Sequence, residues 1–160
     1  MTAYRYDYEV ITQWIEPGEK VLDLGCGDGA LLRHLMDVRQ VQGYGVEDDP
    51  DKLQAMHNTQ GILAEMLRVG REAVVSFPNF GYWRHRQSIL NGRMPVSESL
   101  PHQWYNTPNV RFFTIADFDA LCEMNGIAVR ERLAFDEGKL MLDEPNFLAS
   151  VAVYRLGRNG

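Results

Sequence analysis

The sequence predicts an α/β fold of the doubly wound kind, with a mostly parallel sheet that carries an antiparallel C-terminal hairpin at one edge. Three observations indicate this fold. A short apolar strand pattern at residues 20–24 runs into glycines and then into a helix pattern at residues 30–37. A second strand pattern follows at residues 41–46, and two more lie at residues 127–135 and 148–154. A strand, a helix and a strand in this order form a parallel pair with a right-handed crossover.

Length and composition limit the domain number and the class of partner. With 160 residues, of which 45% are hydrophobic, we expect a single domain over residues 1–160. The formal net charge of −6 disfavours nucleic acid and anionic membranes as partners. No apolar run approaches the roughly 20 residues of a membrane span, and the first residues lack the order of a secretory signal, so we expect a cytoplasmic protein. Cys26 and Cys122 predict neither a disulfide nor a metal site.

The first half of the chain gives the clearest local patterns. Residues 8–14 place Val10, Ile11 and Trp14 on one helical face, and Pro17-Gly18 then predicts a turn. The run KVLDL at residues 20–24 predicts a strand because it is apolar and stops at glycines. The helix pattern at residues 30–37 has its leucines at helical spacing, and it precedes the strand at residues 41–46.

The second half continues the alternation of helices and strands. Residues 62–68 predict a helix capped by Gly70, and residues 72–77 predict a strand. Residues 78–113 are rich in Pro, Asn, Gly and aromatic residues, so we expect irregular structure there. A helix should resume at residues 114–125, with Thr114 as N-cap, Asp117 at the capping-box distance and Gly126 at its end.

The loop from Asp23 to Gly29 carries the predicted chemistry. It lies where a strand turns into a helix, so its glycines allow a ligand close to the backbone, and the helix start offers N–H groups. Gly25, Gly27 and Ala30 also fit the loop that binds NAD. Asp23 favours S-adenosylmethionine instead, because a carboxylate repels a pyrophosphate and attracts the ammonium of a methionine moiety.

A second ligand element is predicted at Glu47, which lies at the end of the next strand and 22 residues after Gly25. A carboxylate there can accept two hydrogen bonds from the hydroxyls of a ribose, a feature that NAD-binding proteins share. Asp48 follows directly and is a further candidate. The alternative is that the glycines only form a tight turn and that Glu47 is a solvated acid at a strand end.

Both elements resemble known motifs. DLGCGDG resembles the first motif of class I S-adenosylmethionine-dependent methyltransferases, and GYGVE resembles the second. The resemblance implies that Asp23, Gly25 and Gly27, with Cys26 between the glycines, contact the methionine part of the ligand. It implies that Glu47 contacts the ribose.

A narrower resemblance covers nearly the whole chain and is to the methionine-biosynthesis family MetW. It is carried by WIEPGEKVLDLGCGDG, QVQGYGVE, EMLRVGREAVVSFPNFGYWR, GRMPVSESLPHQWYNTPN and VAVYRLGR. That family is implicated with a homoserine O-acyltransferase, which implies an accessory role in methionine synthesis with S-adenosylmethionine or S-adenosylhomocysteine as ligand. Methyl transfer to a small molecule is the alternative, and no residue is identified as catalytic.

The connection after Glu47 is too short for this fold. A further strand, helix and strand are expected before residue 72, but only residues 48–61 are available, whereas a βαβ crossover takes ~30 residues. We therefore expect residues to be absent between about His57 and Gly61. Either the segment is naturally deleted, or the protein contains residues that this sequence lacks. We favour the second alternative. A second such break is placed between Phe135 and Pro145, where the resemblance weakens.

Four residues in the segment 78–113 are candidates for contact with a substrate or partner. Asn79 follows a strand at the edge where open α/β sheets bind ligands, and the alternative is that it holds a turn. Arg84 lies in a positive stretch that can hold an acidic partner, and the alternative is a solvated helix face. Trp104 and Tyr105 either cover the core or face a partner. His85 is expected to be an ordinary surface histidine.

Overall fold

The structure is a computed structural model that describes residues 6–24, 28–46, 58–107 and 112–159. The chain forms two compact units, Met1–Thr59 and Gln60–Gly160, and each is considered by itself. That the two units form one domain stays a prediction. Among the described helices, none is long and apolar enough to cross a membrane.

The first unit is built on a parallel pair of strands. The pairing runs in parallel register from Lys20 opposite Gln42 to Leu24 opposite Val46. The predicted order of strand, helix and strand is therefore confirmed, with boundaries within two residues of those expected. The described elements of this unit are α1 (Tyr6–Trp14), β1 (Lys20–Leu24), α2 (Ala30–Arg39) and β2 (Gln42–Val46).

Helix α2 packs closely on strand β2 because residue 43 is a glycine. A Cβ atom at Gly43 would lie 2.7 Å from Cγ of Leu32, so any larger residue would push the helix away from the strand. Arg39, at the end of α2, donates from Nε to the Thr12 carbonyl at 2.9 Å and so links α2 to α1. The buried apolar residues of this unit are Val10, Ile11, Leu32, Leu35 and Val41.

The second unit contains an antiparallel sheet in the order β3-β6-β4-β5. Strand β6 lies between β3 and β4. It pairs with the full length of β3 on one side, and its residues Val151 to Arg158 pair with β4 on the other. The antiparallel pairing predicted for the last two long strands is confirmed. Their predicted place at the sheet edge was wrong, because β6 lies between β3 and β4 and the short strand β5 lies at the edge beyond β4. The described elements are α3 (Thr59–Val69), β3 (Glu72–Pro78), α4 (Trp83–Leu90), α5 (Ile115–Met124), β4 (Ile127–Asp136), β5 (Lys139–Leu140), α6 (Pro145–Leu148) and β6 (Val151–Arg158).

An aromatic cluster forms the centre of the second unit's core. The Phe77 ring lies 5.0 Å from that of Phe118 and 5.6 Å from that of Tyr154. Helix α5 begins with the predicted capping box, in which Thr114 and Asp117 exchange hydrogen bonds between side chain and backbone. Cys122 lies on the buried face of α5, where it packs in the core.

Three expectations need correction. Residues 83–90 form helix α4 within the segment expected to be irregular, because Trp83–Leu90 contains neither Gly nor Pro. No break is needed between Phe135 and Pro145, since Glu137 and Gly138, both with positive φ, close a tight hairpin between β4 and β5. Parallel pairing is also limited to β1 and β2 among the described strands.

Candidate functional site

The predicted ligand edge lies at the carboxyl ends of β1 and β2. Leu24 and Val46 pair at the last position of the two strands, so the chain leaves both strands at the same edge. Asp23 lies one position earlier, opposite Gly45, and is half-buried. The other predicted ligand residues fall outside the described residues; they are Gly25, Cys26, Gly27, Glu47 and Asp48.

The start of helix α2 completes the described part of this edge. Gly29 has a φ of 72°, a left-handed conformation that glycine adopts without strain. Asp28 accepts a hydrogen bond from the Ala30 N–H at 3.0 Å, which satisfies one of the N–H groups at the helix start. The described residues thus provide a strand end, a left-handed turn and a helix start in the order that the sequence predicts.

In the second unit, Asn79 is the centre of a buried hydrogen-bond network. Its side chain has no exposed surface, and all four of its hydrogen-bonding positions are used. Its amide group donates to the carbonyls of Asn146 at 3.1 Å and Ala149 at 2.8 Å. Its oxygen accepts from the N–H groups of Gly81 at 2.9 Å and Ile115 at 3.1 Å. These contacts support the alternative in which Asn79 holds a turn, and they leave no atom for a substrate.

His85 continues this network towards the loop that follows α4. It is 1% exposed, so the expectation of an ordinary surface histidine was wrong. Its Nδ1 lies 3.0 Å from the Asn79 carbonyl, which only accepts, so the neutral ring accepts at Nε2 from the Ser97 hydroxyl at 2.9 Å. Burial lowers the pKa of His85 from its ordinary value, against the smaller effects of the Asn79 carbonyl and Asp136. The neutral ring therefore joins β3 to the loop at residues 97–100.

The N-terminal end of α4 is held against the β4–β5 hairpin. Tyr82 is buried and donates from its hydroxyl to Asp136 at 3.0 Å. Its burial and this carboxylate raise the pKa of Tyr82 to about 12. Arg84 forms an exposed ion pair with Glu137 at 3.4 Å, and its guanidinium lies 5.3 Å from the Trp83 ring. The Arg84 side chain is therefore exposed on the surface, where Glu137 and the Trp83 ring lie beside it.

Trp104 and Tyr105 form the most exposed aromatic pair of the second unit's described part. They are 69% and 70% exposed, and their rings meet edge to face at 5.6 Å. Both rings are exposed and do not cover the core of the second unit. That they contact a partner stays a prediction.

The groups described above divide into a buried set and an outward-facing set. The described residues contain no group of three or more His, Cys, Asp or Glu side chains suited to a metal ion. The network of Asn79, His85 and Tyr82 is buried and internally satisfied, whereas the aromatic rings and Arg84 face outward. Sequence reasoning missed the roles of His85 and Tyr82, because their partners Ser97 and Asp136 lie 12 and 54 residues away.

Comparison with known proteins identifies the family. The sequence model of the family described as methionine biosynthesis protein MetW matches residues 5–53 and 50–156. The chain belongs to this family. A curated relative, the bifunctional methionine biosynthesis protein MetXA/MetW of Rhodopirellula baltica, is 33% identical over 202 residues, which include 95% of this chain and 32% of the relative. The chain thus spans about a third of the length of that relative.

Solved structures show the fold. A TehB-like SAM-dependent methyltransferase from Corynebacterium glutamicum matches with a TM-score of 0.58 and 14% identity, over 96% of this chain and 88% of that one. A SAM-dependent methyltransferase from Archaeoglobus fulgidus matches with a TM-score of 0.51 and 13% identity, over 93% of both chains. This MetW-family chain therefore has a class I methyltransferase-like α/β fold, and the predicted fold class is confirmed.

Proposed function

We propose that this chain is an accessory protein of methionine biosynthesis that acts with a homoserine O-acyltransferase and binds S-adenosylmethionine or S-adenosylhomocysteine. The observation that carries the proposal is the relative whose name joins MetXA and MetW in one protein. We take its MetXA part to be the acyltransferase. Two activities held in one chain in one organism are expected to work together as separate chains in another. The setting we propose is the cytoplasm.

The partner surface that we propose lies in the second unit, at α4 and the loop that follows it. Trp104 and Tyr105 expose large rings in the loop. On α4, Trp83 is partly exposed and the Arg84 guanidinium lies 5.3 Å from its ring. Trp, Tyr and Arg are the residues that most often carry binding energy in protein interfaces. Arg84 is exposed, and its ion pair with Glu137 at 3.4 Å leaves the guanidinium open to solvent on the surface.

The test of this role uses the purified chain and a homoserine O-acyltransferase. We expect the two to co-purify and the acyltransferase to gain activity. Trp104→Ala and Arg84→Ala should each weaken the complex, whereas Met124→Ala is the matched control, since Met124 is 78% exposed on α5. Failure to form a complex, with the acyltransferase equally active alone, would reject the accessory role. Methyl transfer to a small molecule would then be the function to pursue.

We propose that S-adenosylmethionine or S-adenosylhomocysteine binds at the edge formed by β1, β2 and the start of α2. Asp23 is the described residue that supports it, because a half-buried carboxylate at a strand end attracts an ammonium group. Asp23→Ala and Glu47→Ala should each remove a charge-assisted hydrogen bond of ~1.5–3 kcal/mol, or roughly 10- to 100-fold in affinity. Calorimetry with S-adenosylhomocysteine measures this loss, and Asp37→Ala is a charge-matched control. Equal or tighter binding of NAD would overturn the assignment.

A further inference from the structure

Two serines lie in a tight turn beside the buried His85. Ser97 and Leu100 exchange backbone hydrogen bonds at 3.0 and 3.1 Å, which close the turn. Ser99 lies within this turn, and its Oγ is 3.1 Å from the Oγ of Ser97. Both serines are half-buried, whereas Leu100 is buried. The turn therefore holds the two hydroxyls together and leaves part of each serine exposed to solvent.

The direction of each hydrogen bond in this cluster follows from the Asn79 carbonyl, which can only accept. That carbonyl takes the Nδ1 proton of His85, so Nε2 of the neutral ring accepts from the Ser97 hydroxyl at 2.9 Å. The single hydroxyl proton of Ser97 is used in that bond, so Ser97 accepts in its contact with Ser99. The donors thus run in one direction, from Ser99 through Ser97 to His85.

The same bookkeeping of lone pairs separates the two serines. The Ser97 oxygen is saturated, because it accepts from Ser99 and also from the Leu100 N–H at 3.2 Å. Ser99 enters the cluster as a donor, and within the described part of the chain its oxygen has no contact that occupies its lone pairs. A serine hydroxyl whose proton leads to a neutral imidazole is the arrangement that activates serine nucleophiles.

We infer that Ser99 is a nucleophile that takes an acyl group from an activated carboxylic ester, with His85 as the base and Ser97 as the relay between them. As the Ser99 oxygen bonds to the carbonyl carbon, its proton passes to Ser97, and the Ser97 proton passes to Nε2 of His85. The bond from the carbonyl carbon to the leaving oxygen then breaks. The proton returns through Ser97 to the leaving oxygen, so the products are an ester at Ser99 and a free alcohol.

The surroundings of His85 suit a base that is neutral at rest and charged during the reaction. Burial lowers the pKa of the ring and keeps it neutral beforehand. The Asn79 carbonyl and the Asp136 carboxylate act in the opposite direction and stabilise the imidazolium once it forms. The Tyr82 ring packs edge to face on the imidazole at 5.2 Å and so fixes its orientation towards Ser97. This activity goes beyond the proposed function and uses none of the residues assigned there to ligand or partner.

The test treats the full chain with p-nitrophenyl acetate at neutral pH and follows the acetylation of each serine by peptide mapping. Ser88 is the internal control, because it also lies on α4 and its hydroxyl donates to the Arg84 carbonyl at 3.1 Å, away from any base. We expect Ser99 to be acetylated about 100-fold faster than Ser88, which is the lower end of what a general base contributes. A Ser99 rate within about tenfold of the Ser88 rate overturns the inference, as does faster acetylation of Ser97 than of Ser99.

Substitutions at Ser97 distinguish a relay from a hydroxyl that is merely accessible. Ser97→Ala removes the link to His85 but keeps the Ser99 hydroxyl, so the acetylation of Ser99 should fall by about 100-fold. Ser97→Thr keeps a hydroxyl at this position and should retain most of the rate. Circular dichroism checks that each variant is folded. Unchanged acetylation of Ser99 in folded Ser97→Ala overturns the relay, and if that variant does not fold, the comparison of Ser99 with Ser88 in the unaltered chain decides.

Discussion

Replacement of Asn79 by alanine tests the buried network most directly. The side chain makes four hydrogen bonds to backbone groups that lie from 2 to 70 residues away in sequence. It ties the end of β3 to the start of α5, through Ile115, and to α6, through Asn146 and Ala149. Asn79→Ala removes all four bonds at once and introduces no new group that could take their place.

The expected loss follows from the groups left behind. Two N–H groups and two carbonyls would lose their partner in a site from which water is excluded, since Asn79 and Ala149 have no exposed surface. An unsatisfied buried donor or acceptor costs about 1–3 kcal/mol. Because the surrounding chain can relax and some water can enter, we take the lower end of this range, about 1 kcal/mol per group. Four groups then give a loss of about 4 kcal/mol in the free energy of unfolding. Typical domains have about 5–15 kcal/mol in total, so the variant should be only marginally folded.

Urea unfolding followed by circular dichroism measures this loss. With a slope of about 2 kcal/mol per molar urea, a loss of about 4 kcal/mol lowers the midpoint by about 2 M. Asn106→Ala is the matched control, because Asn106 is exposed and its loss should change stability by no more than about 0.5 kcal/mol. A loss below about 1 kcal/mol for Asn79→Ala would refute the reasoning, since the network would then contribute no more than a surface contact.

Four further predictions follow from the buried groups and the interrupted match. Cys122, whose pKa burial raises to about 11, should resist iodoacetamide at pH 8 until urea is added, as peptide mapping would show. The lowered pKa of His85 means that the unfolded chain binds the proton more readily, so stability should fall as pH drops below about 6.5. His85→Asn should flatten that dependence in urea titrations from pH 5 to 8. Tyr82→Phe should cost about 1–3 kcal/mol, because Asp136 loses its donor. The measured mass of the intact protein should exceed 18.3 kDa if the protein contains residues that this sequence lacks. A measured mass equal to 18.3 kDa would establish a natural deletion.

Local signals explain why most elements could be predicted from the sequence. The run KVLDL matches β1 at both ends, because an apolar run bounded by Gly and a turn has no competing helical pattern. The capping box at Thr114 and Asp117 was predicted because both partners lie within one turn. Family resemblance then added what local patterns cannot contain, namely the methyltransferase-like class, and it suggested the acyltransferase partner that we propose.

Long-range contacts explain what the sequence could not reveal. Nothing near His85 indicates burial, since its neighbours Arg84 and Arg86 are charged, and only the fold brings Ser97 and the Asn79 carbonyl to its ring. Asn79 follows Pro78, which is as typical of an exposed turn as of a ligand loop. Its role depends on carbonyls that lie more than 60 residues further along the chain.

The second unit combines a rigid interior with an apolar surface pair, and this combination is what binding requires. An aromatic side chain buries about 150–250 Å² when fully enclosed, so covering two rings that are about 70% exposed removes roughly 200–350 Å² from water. At about 25 cal/mol per Å², this is on the order of 5–9 kcal/mol before the costs of association. Those costs fall when the surface is ordered beforehand. The Ser97 hydroxyl contacts the His85 ring and also accepts a hydrogen bond from the Leu100 N–H. These two contacts fix residues 97–100, which directly precede the segment that carries Trp104. The buried polar network therefore fixes the base of the loop that carries the aromatic pair. This order favours the recognition role that we propose for the pair.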